Sequence, residues 1–443
     1  MLKQMTAACV AALLLASVAG ARPDADQIDS RTLDNGLRVI IWPDHDIPNI
    51  ALYNWVRAGA RNEYPGITGI AHYFEHMMFN GTATRGAGEF DRVMSADGGS
   101  NNAYTSDDLT VYQDWFPRSA LELVLSLEAD RIQNLAFDPE VVENERGVVY
   151  SERRLRVDNN NSGKLSEQLQ ATAFVAHPYQ NPVIGWPSDI ESWTMEDLQT
   201  FYKTYYAPNN LTLLLVGDID PAEGFALVEK YLGPIPAQAP PAELRTVEPE
   251  QKGERRIELT LPAQTPLLQM AWHSGSASDP QMPALNLLIS ILARGDSSRL
   301  HQLLVEQEQA AIGVGAYVHE GFDPNLTWLF ATLPNGGELA RAEALIDRTI
   351  ADIVENGVTE AEIQKAKNLW TASFWRSLAT IDGKADVLGT YEVFHGDYRK
   401  LFDAPKLVDA VTVENIRNVA AAVLVKSNRT TGVVIPQQQG GGA

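Results

Sequence analysis

The stretch ALYNWVRAGARNEYPGITGIAHYFEHMMFNGT, residues 51–82, indicates the architecture of the chain because its plan occurs twice. It combines an apolar strand, a turn containing glycine, and an apolar helix followed by Gly81. The stretch LLQMAWHSGSASDPQMPALNLLISILARGDSSRL, residues 267–300, repeats this plan, with Gly295 after its helix. We therefore interpret the chain as an internal duplication. The predicted fold class is α+β: two similar α/β-sandwich domains, each a mainly antiparallel sheet flanked by helices.

Further patterns place strands and a linker around this repeat. RTLDNGLRVIIWPD, residues 31–44, alternates around an Asn-Gly turn and predicts a hairpin, whereas NLTLLLVGDID, residues 210–220, predicts a buried strand. Residues 233–255 are rich in proline, alanine and charge, which is typical of an inter-domain linker. We expect one domain over residues 22–232, a second over residues 256–436, and a flexible tail over residues 437–443.

The first 21 residues have the pattern of a secretory signal. Lys3 supplies a positive charge, residues 7–18 form a short apolar run, and Ala19-Gly20-Ala21 fits the small-x-small cleavage rule. The alternative, a membrane anchor, is disfavoured because the run is too short to span a bilayer. We expect cleavage after Ala21 and an exported product in the periplasm, without a membrane span in the mature chain.

The composition excludes several classes of function. The single cysteine, Cys9, lies within the predicted signal, so the mature chain has no thiol for disulfides or cysteine catalysis. The chain has 35 basic and 57 acidic side chains and a formal charge of −22, which argues against a nucleic-acid partner. The acidic balance favours solubility; an acidic cavity that attracts basic peptides is the functional alternative.

The helix of residues 67–79 carries three ionisable side chains, those of His72, Glu75 and His76. At about 100° per residue these three share one face. The opposite face is apolar and consists of Ile67, Ile70, Ala71, Phe74, Met77 and Met78. Two histidines one turn apart can bind one metal ion, most often zinc, and Glu75 can reach a metal-bound water. The spacing H-x-x-E-H is the inverzincin motif; by the motif alone, a solvated face with two unrelated histidines is the alternative.

A catalytic zinc usually takes three protein ligands and a water. The residues leave four candidates for the third ligand: His177, Glu128, Glu145 and Glu152. The helix predicted from Asp138-Pro139, an N-cap followed by a first-turn proline, places Glu145 and Glu152 on one face. Spacing alone does not decide among the four.

The second half of the repeat lacks the motif. Setting Gly295 against Gly81 places apolar or neutral residues opposite His72, Glu75 and His76, namely Asn286, Ile289 and Ser290. Zinc is therefore expected only in the first half.

Several segments in a fixed order extend the motif: HYFEH, GGSNNAYTSDDLTVY, ENERGVVYSERR, YYAPNNLTLLLVGDIDP and GDSSRL. Together they resemble the pitrilysin-like inverzincin metallopeptidases, especially the mitochondrial-processing-peptidase branch and its bacterial relatives. The resemblance covers nearly all of the mature chain. It implies one Zn²⁺ per chain with Glu152, the last glutamate of an E-x6-E segment, as the third ligand. It also implies that Glu145 orients the site.

The resemblance implies an activity as well. A zinc metalloendopeptidase of this type hydrolyses peptides or unfolded segments inside a closed chamber, and a glutamate, here Glu75, activates the zinc water. GGSNNAYT, residues 98–105, resembles the edge strand to which substrate adds as a β-strand. Asn102 and Ala103 are then expected beside the scissile bond. The alternative for this stretch is a plain glycine turn leading into a strand.

The chain departs from the family pattern after S-S-R-L. Complete enzymes of this type carry an arginine and a tyrosine there, seven residues apart, where this chain has Val305 and Ile312. Loss of an oxyanion donor typically costs on the order of 10²–10³ in rate. In the heterodimeric branch of the family that the chain resembles, a zinc-less subunit supplies the pair, so the resemblance implies that this chain is the catalytic half of such a heterodimer. The alternative is a non-enzymatic or weakly active peptide-binding or structural subunit of a larger complex; the complete zinc motif favours the enzyme.

Overall fold

The computed structural model describes residues 24–437, so the predicted signal peptide and all of the predicted tail except Gln437 lie outside the described residues. Among residues 24–437, every helix is too short or too polar to span a lipid bilayer. The strands are β1 Asp29–Thr32, β2 Arg38–Pro43, β3 Asn49–Val56, β4 Ser100–Thr105, β5 Thr110–Pro117, β6 Leu211–Gly217, β7 Arg255–Leu261, β8 Leu267–His273, β9 Gly313–Val318, β10 Leu326–Thr332 and β11 Arg429–Pro436. The helices are α1 Ile70–Met77, α2 Glu89–Ala96, α3 Leu121–Asn134, α4 Pro139–Arg153, α5 Asn161–Ala173, α6 Pro187–Ser192, α7 Met195–Tyr205, α8 Pro221–Leu232, α9 Met282–Ala293, α10 Leu339–Asn356, α11 Glu360–Ser377, α12 Ile381–His395, α13 Ala404–Asp409 and α14 Val413–Val423.

The strands form two sheets with corresponding topology. The first has the order β1-β2-β6-β3-β5-β4 and the second the order β7-β11-β8-β10-β9. Neighbouring strands are antiparallel except for the parallel pairs β2–β6 and β7–β11. Without β1, the two orders match strand for strand. The predicted fold class, two similar α/β domains with mainly antiparallel sheets, is confirmed.

Individual predictions agree with these strands. The predicted hairpin is the pair β1–β2, in which Asp29 lies opposite Ile41. Strand β6 is buried along its whole length, as its apolar sequence predicts, and it ends at Gly217, before the turn residues that close the run. Residues 233–254 contain neither helix nor strand. The division into domains on either side of residues 233–255 stays a prediction.

A helix from each half of the chain covers the sheet of the other half. Helix α5, from the first half, packs Leu165 and Leu169 against Gly432 of β11, where a Cβ would lie 3.0 Å from the Leu165 side chain. Helix α12, from the second half, packs on the first sheet, and Gly389 of this helix lies directly against Trp55 of β3. Each sheet is therefore covered on one face by its own helices and on the other by a helix of the other half.

Helix α1 begins at Ile70, three residues later than the sequence predicts, because Gly66 and Gly69 both have a positive φ. The Glu63 carboxylate accepts hydrogen bonds from the backbone amides of Gly69 at 2.7 Å and Ala71 at 2.8 Å. Gly69 also touches Gly185, where a Cβ on Gly69 would lie 2.7 Å from the Gly185 Cα. The start of α1 is therefore fixed by one buried carboxylate and one backbone crossing.

Helix α4 begins as predicted, because the Asp138 side chain accepts hydrogen bonds from the amides of Glu140 and Val141. Beyond Arg153 the helix widens into a π-helical turn, Arg154–Asp158. Asn160 then caps α5. This π-helical turn connects two helices that border the candidate site.

We expect replacement of Glu63 by alanine to destabilise the protein by about 2–5 kcal/mol, because it leaves two buried amides without an acceptor. Urea unfolding in the presence of a chelator measures the difference without a contribution from bound metal. The control is Glu140→Ala, an exposed first-turn glutamate of α4, for which we expect a change within about 0.5 kcal/mol. Equal costs for the two variants would contradict this role of Glu63.

Candidate metal centre

The polar face of α1 points away from the core, towards α4. Phe74 and Met77 on the opposite face are fully buried in the first hydrophobic core. On the polar face, His72 is 5% exposed, whereas Glu75 and His76 are half-buried. The apolar face thus holds the helix against the sheet and leaves the three ionisable side chains together.

Helix α4 brings Glu152 to these two histidines. The Glu152 Oε2 atom lies 3.3 Å from His76 Nε2 and 3.6 Å from His72 Nε2. The three residues form the one cluster of potential metal ligands found in the described range, with ligand atoms within 4.8 Å of one another. The residues predicted as zinc ligands therefore come together, although their role as ligands stays a prediction.

The spacing of these atoms fits a tetrahedral zinc ion. Ligand atoms at about 2.0–2.2 Å from such an ion lie about 3.3–3.6 Å from one another. The distances from Glu152 Oε2 to the two histidine nitrogens, 3.3 and 3.6 Å, agree with this spacing. Two imidazoles and one carboxylate are also a donor set that zinc accepts, with a position left for water.

Glu145 holds the ring of His76 from the side away from the cluster. Its Oε1 atom lies 2.8 Å from His76 Nδ1, and its Oε2 atom accepts a hydrogen bond of 2.8 Å from Asn80 Nδ2. Burial opposes the charged imidazolium, but hydrogen bonds to Glu145 and Glu152 outweigh it and raise the pKa of His76 to about 9. A carboxylate behind a histidine fixes the tautomer that presents Nε2 to a metal.

The pKa of His72 is shifted in the opposite direction to that of His76. Its burial, followed by the nearby charge of His76, lowers the pKa of His72 to about 4. Its Nδ1 atom is buried and has no hydrogen-bond partner in the structure. The ring is therefore neutral near pH 7, which is the form in which histidine binds a metal.

Glu75 lies beside the cluster and is held from the sheet. Its Oε2 atom accepts a hydrogen bond of 2.6 Å from the Thr105 hydroxyl on β4. Burial raises the pKa of Glu75. Strand β4 is one of the two edge strands of the first sheet, and the predicted substrate-binding residues Asn102 and Ala103 both lie on it. The edge position agrees with the predicted strand, and the substrate-binding role stays a prediction.

The other candidates for a third ligand belong to different groups. His177 Nε2 lies 3.2 Å from Asp323 Oδ2. Glu128 is fully buried and pairs with Arg131. In the second half, Val305 packs on the core and Ile312 is 61% exposed. Both side chains are aliphatic, so neither offers a hydrogen-bond donor for an oxyanion.

Three further polar residues lie at this site that were not predicted from the sequence: Asn80, Thr105 and Arg156. Asn80 follows His76 by four residues, and Arg156 follows Glu152 by four and pairs with its Oε1 atom at 2.8 Å. The spacing of four residues would have identified the pair of Glu152 and Arg156. Asn80 lies beyond the end of α1 and contacts Glu145 of α4, so its role depends on tertiary packing. Thr105 lies two residues beyond Ala103 and therefore on the same face of β4, but its contact with Glu75 depends on how α1 packs on the sheet.

In the metal-free chain, stability should depend on the charge of His76. The pKa of His76 is raised from its ordinary 6.5 to about 9 in the fold, so the stabilisation is fully present below pH 6.5 and is lost as the pH rises through about 9. We expect His76→Gln to cost about 1–3 kcal/mol more at pH 6 than at pH 10. Urea unfolding in a chelator at both pH values measures this, and an equal cost at both would contradict it.

Comparison with known proteins identifies the family. Residues 39–186 match the family model described as insulinase (peptidase family M16), and residues 192–369 match the model described as the peptidase M16 inactive domain. The zinc protease PqqE of Helicobacter pylori is 31% identical over 404 residues, which are 87% of this chain and 89% of that protein.

Solved structures agree with this assignment. A protease from Helicobacter pylori superposes with a TM-score of 0.89 at 28% identity, over 92% of this chain and 99% of that one. The periplasmic protease PqqL from Escherichia coli, at 21% identity, shares the fold with a TM-score of 0.77, over 94% of this chain and 48% of that one. The chain belongs to peptidase family M16, which confirms the pitrilysin-like resemblance.

Proposed function

We propose that this protein is a zinc-dependent metalloendopeptidase. The observation that carries the proposal is the convergence of His72, His76 and Glu152 at zinc-ligand spacing, with Glu75 beside them. The family, and relatives described as zinc proteases, support the same reaction class.

His72, His76 and Glu152 would hold the ion. When bound, zinc supplies a Lewis acid that polarises a peptide carbonyl and lowers the pKa of water. Glu145 and Asn80 keep the His76 ring in one orientation through their hydrogen bonds. The residues therefore offer a prearranged site, so little conformational entropy is lost when the ion binds.

Glu75 acts as the general base. It accepts a proton from the attacking water and then donates that proton to the leaving amine, so its own charge is restored after each cycle. Burial raises the pKa of Glu75 from its ordinary value, which makes the carboxylate a better proton acceptor. The Thr105 hydroxyl holds one carboxylate oxygen and leaves the other for the water.

The substrate would bind along β4. One edge of β4 pairs with β5, and the other has no strand partner in the described part of the chain. A peptide or unfolded segment that adds there gains backbone hydrogen bonds with little demand on its sequence. Asn102 and Ala103 would then hold the residues around the scissile bond.

The oxyanion donors are the missing part of this site. Val305 and Ile312 stand where complete enzymes have an arginine and a tyrosine, and neither offers a hydrogen-bond donor from its side chain. The proposed partner is therefore a homologous subunit that lacks zinc and supplies the pair, forming a heterodimer with a closed chamber.

We place the protein in the periplasm. The pattern of residues 1–21 supports export, and one relative of the same fold is described as a periplasmic protease.

Val305 and Ile312, which stand in place of the oxyanion donors, also favour a second candidate function. A subunit that lacks oxyanion donors would bind peptides and turn them over weakly or not at all, as a peptide-binding or structural part of a larger complex. Turnover of a quenched peptide with and without a chelator distinguishes the two functions.

We expect Glu75→Gln to bind zinc but to lose cleavage, because it keeps the ligands and removes the base. We expect His76→Ala to lose the metal itself. Metal analysis of both purified variants, with cleavage of a quenched peptide library, measures these effects; Glu89→Gln is the control, because this partly exposed glutamate of α2 pairs with Arg92 and lies outside the cluster. Full activity of Glu75→Gln would disprove its assignment as the base.

We expect the isolated chain to turn over peptides on the order of 10²–10³ more slowly than its complex with a homologue that carries the arginine and tyrosine. Steady-state rates of the chain alone, the homologue alone and their mixture measure the difference. Full activity of the isolated chain would exclude the heterodimer.

A further inference from the structure

A cavity of about 360 Å³ opens beside the candidate catalytic residues. His72 and Glu75 line one side of it, and Tyr104 and Thr105 of β4 line another. The remaining wall comes from the π-helical turn after α4, from α5 and from the segment Pro182–Ile184. A cavity of this volume is large enough for one side chain of a peptide bound along β4.

One positive charge faces this cavity among its lining residues, that of Arg156. Glu167, an acidic residue of the same wall, is only 8% exposed and is neutralised by Arg153, whose two terminal nitrogens lie 2.7 and 3.0 Å from its oxygens. Val157 and Pro182–Ile184 add apolar surface. Apart from the Glu75 carboxylate, the lining therefore combines apolar and neutral polar surface with a single available guanidinium.

The backbone of Arg156 packs closely against α5, while its side chain is accessible. The Arg156 carbonyl oxygen lies against Gly163 of α5, where a Cβ would be only 2.1 Å away. The Arg156 side chain is 70% exposed, and one of its terminal nitrogens forms an ion pair with Glu152 Oε1 at 2.8 Å. Glu152 is 18% exposed and takes one of the N–H groups of Arg156, and a guanidinium has five, so further donors are accessible to a ligand while this ion pair persists.

We propose that Arg156 binds a carboxylate of the substrate in this cavity, so that the protein prefers an acidic residue, or a free C-terminus, next to the cleaved bond. This inference rests on the proposed function, because it takes the substrate to be a peptide on β4. A guanidinium recognises a carboxylate through two parallel hydrogen bonds. The preference is opposite to the attraction of basic peptides that the overall charge of −22 would favour.

Binding to the zinc-loaded Glu75→Gln variant tests the proposal without turnover. The probes are fluorescein-labelled, C-terminally amidated alanine-rich decapeptides that carry one Glu, Gln or Lys at each position in turn. A further neutral peptide carries either a free or an amidated C-terminus, which separates a side-chain carboxylate from a terminal one. Fluorescence anisotropy gives the dissociation constants.

We expect the Glu peptide, or the peptide with a free C-terminus, to bind about tenfold more tightly than its neutral match at one register. The added substitution Arg156→Gln should reduce this ratio to about one, and Arg156→Glu should shift the preference to Lys. The matched control is Arg154→Gln, in the same π-helical turn, because Arg154 lies over the Tyr150 ring and not in the cavity. That control should keep the tenfold ratio, and metal analysis should show equal zinc in all variants.

The outcomes separate this inference from the proposed function. A preference that persists in Arg156→Gln, no preference at any register, or a preference for Lys in the parent protein would overturn the role of Arg156. Peptide cleavage by the wild-type protein without such discrimination would leave the peptidase function standing. Discrimination by Arg156 without any cleavage would instead support the carboxylate site and count against the peptidase.

Discussion

The site depends on how the first turn of α1 is anchored. The buried Glu63 carboxylate accepts hydrogen bonds from the backbone amides of Gly69 and Ala71. The backbone at Gly69 crosses that at Gly185 at a distance that leaves no room for a Cβ. Together these contacts set both the position of the helix and its rotation about its axis. A rotation by one residue, about 100°, would turn His72 into the core. Because these contacts fix the first turn of α1 in one position, the polar face of the helix is directed towards α4.

The candidate metal centre is prearranged by polar contacts that do not involve a metal. Glu145 and Asn80 form a chain of hydrogen bonds that fixes the His76 ring, while burial keeps His72 neutral. Without an ion, His76 tends to hold a proton between two carboxylates. A bound ion would therefore compete with that proton for the Nε2 atom of His76, so that metal binding would release the proton.

The sequence predicted the parts of this site that follow from spacing along one element. His72 and His76 are four residues apart, and Glu145 and Glu152 are seven residues apart on one face of α4. The choice of Glu152 among the four candidates for the third ligand nevertheless required the family resemblance. Helix α1 was predicted three residues too early, because the apolar periodicity continues into a turn whose geometry depends on positive φ at two glycines. Thr105 could not be linked to Glu75 from the sequence, since a contact between a helix and a strand depends on tertiary packing.

The exchange of α5 and α12 between the two halves has a consequence for the integrity of the molecule. One face of each sheet is covered by residues from the opposite side of the linker in sequence: Leu165 of the first half packs on β11, and Gly389 of the second half packs on β3. Proteolysis between residues 233 and 254 would therefore break the polypeptide without separating the pieces. The nicked protein should migrate as one particle in its folded state and fall into two fragments only when denatured.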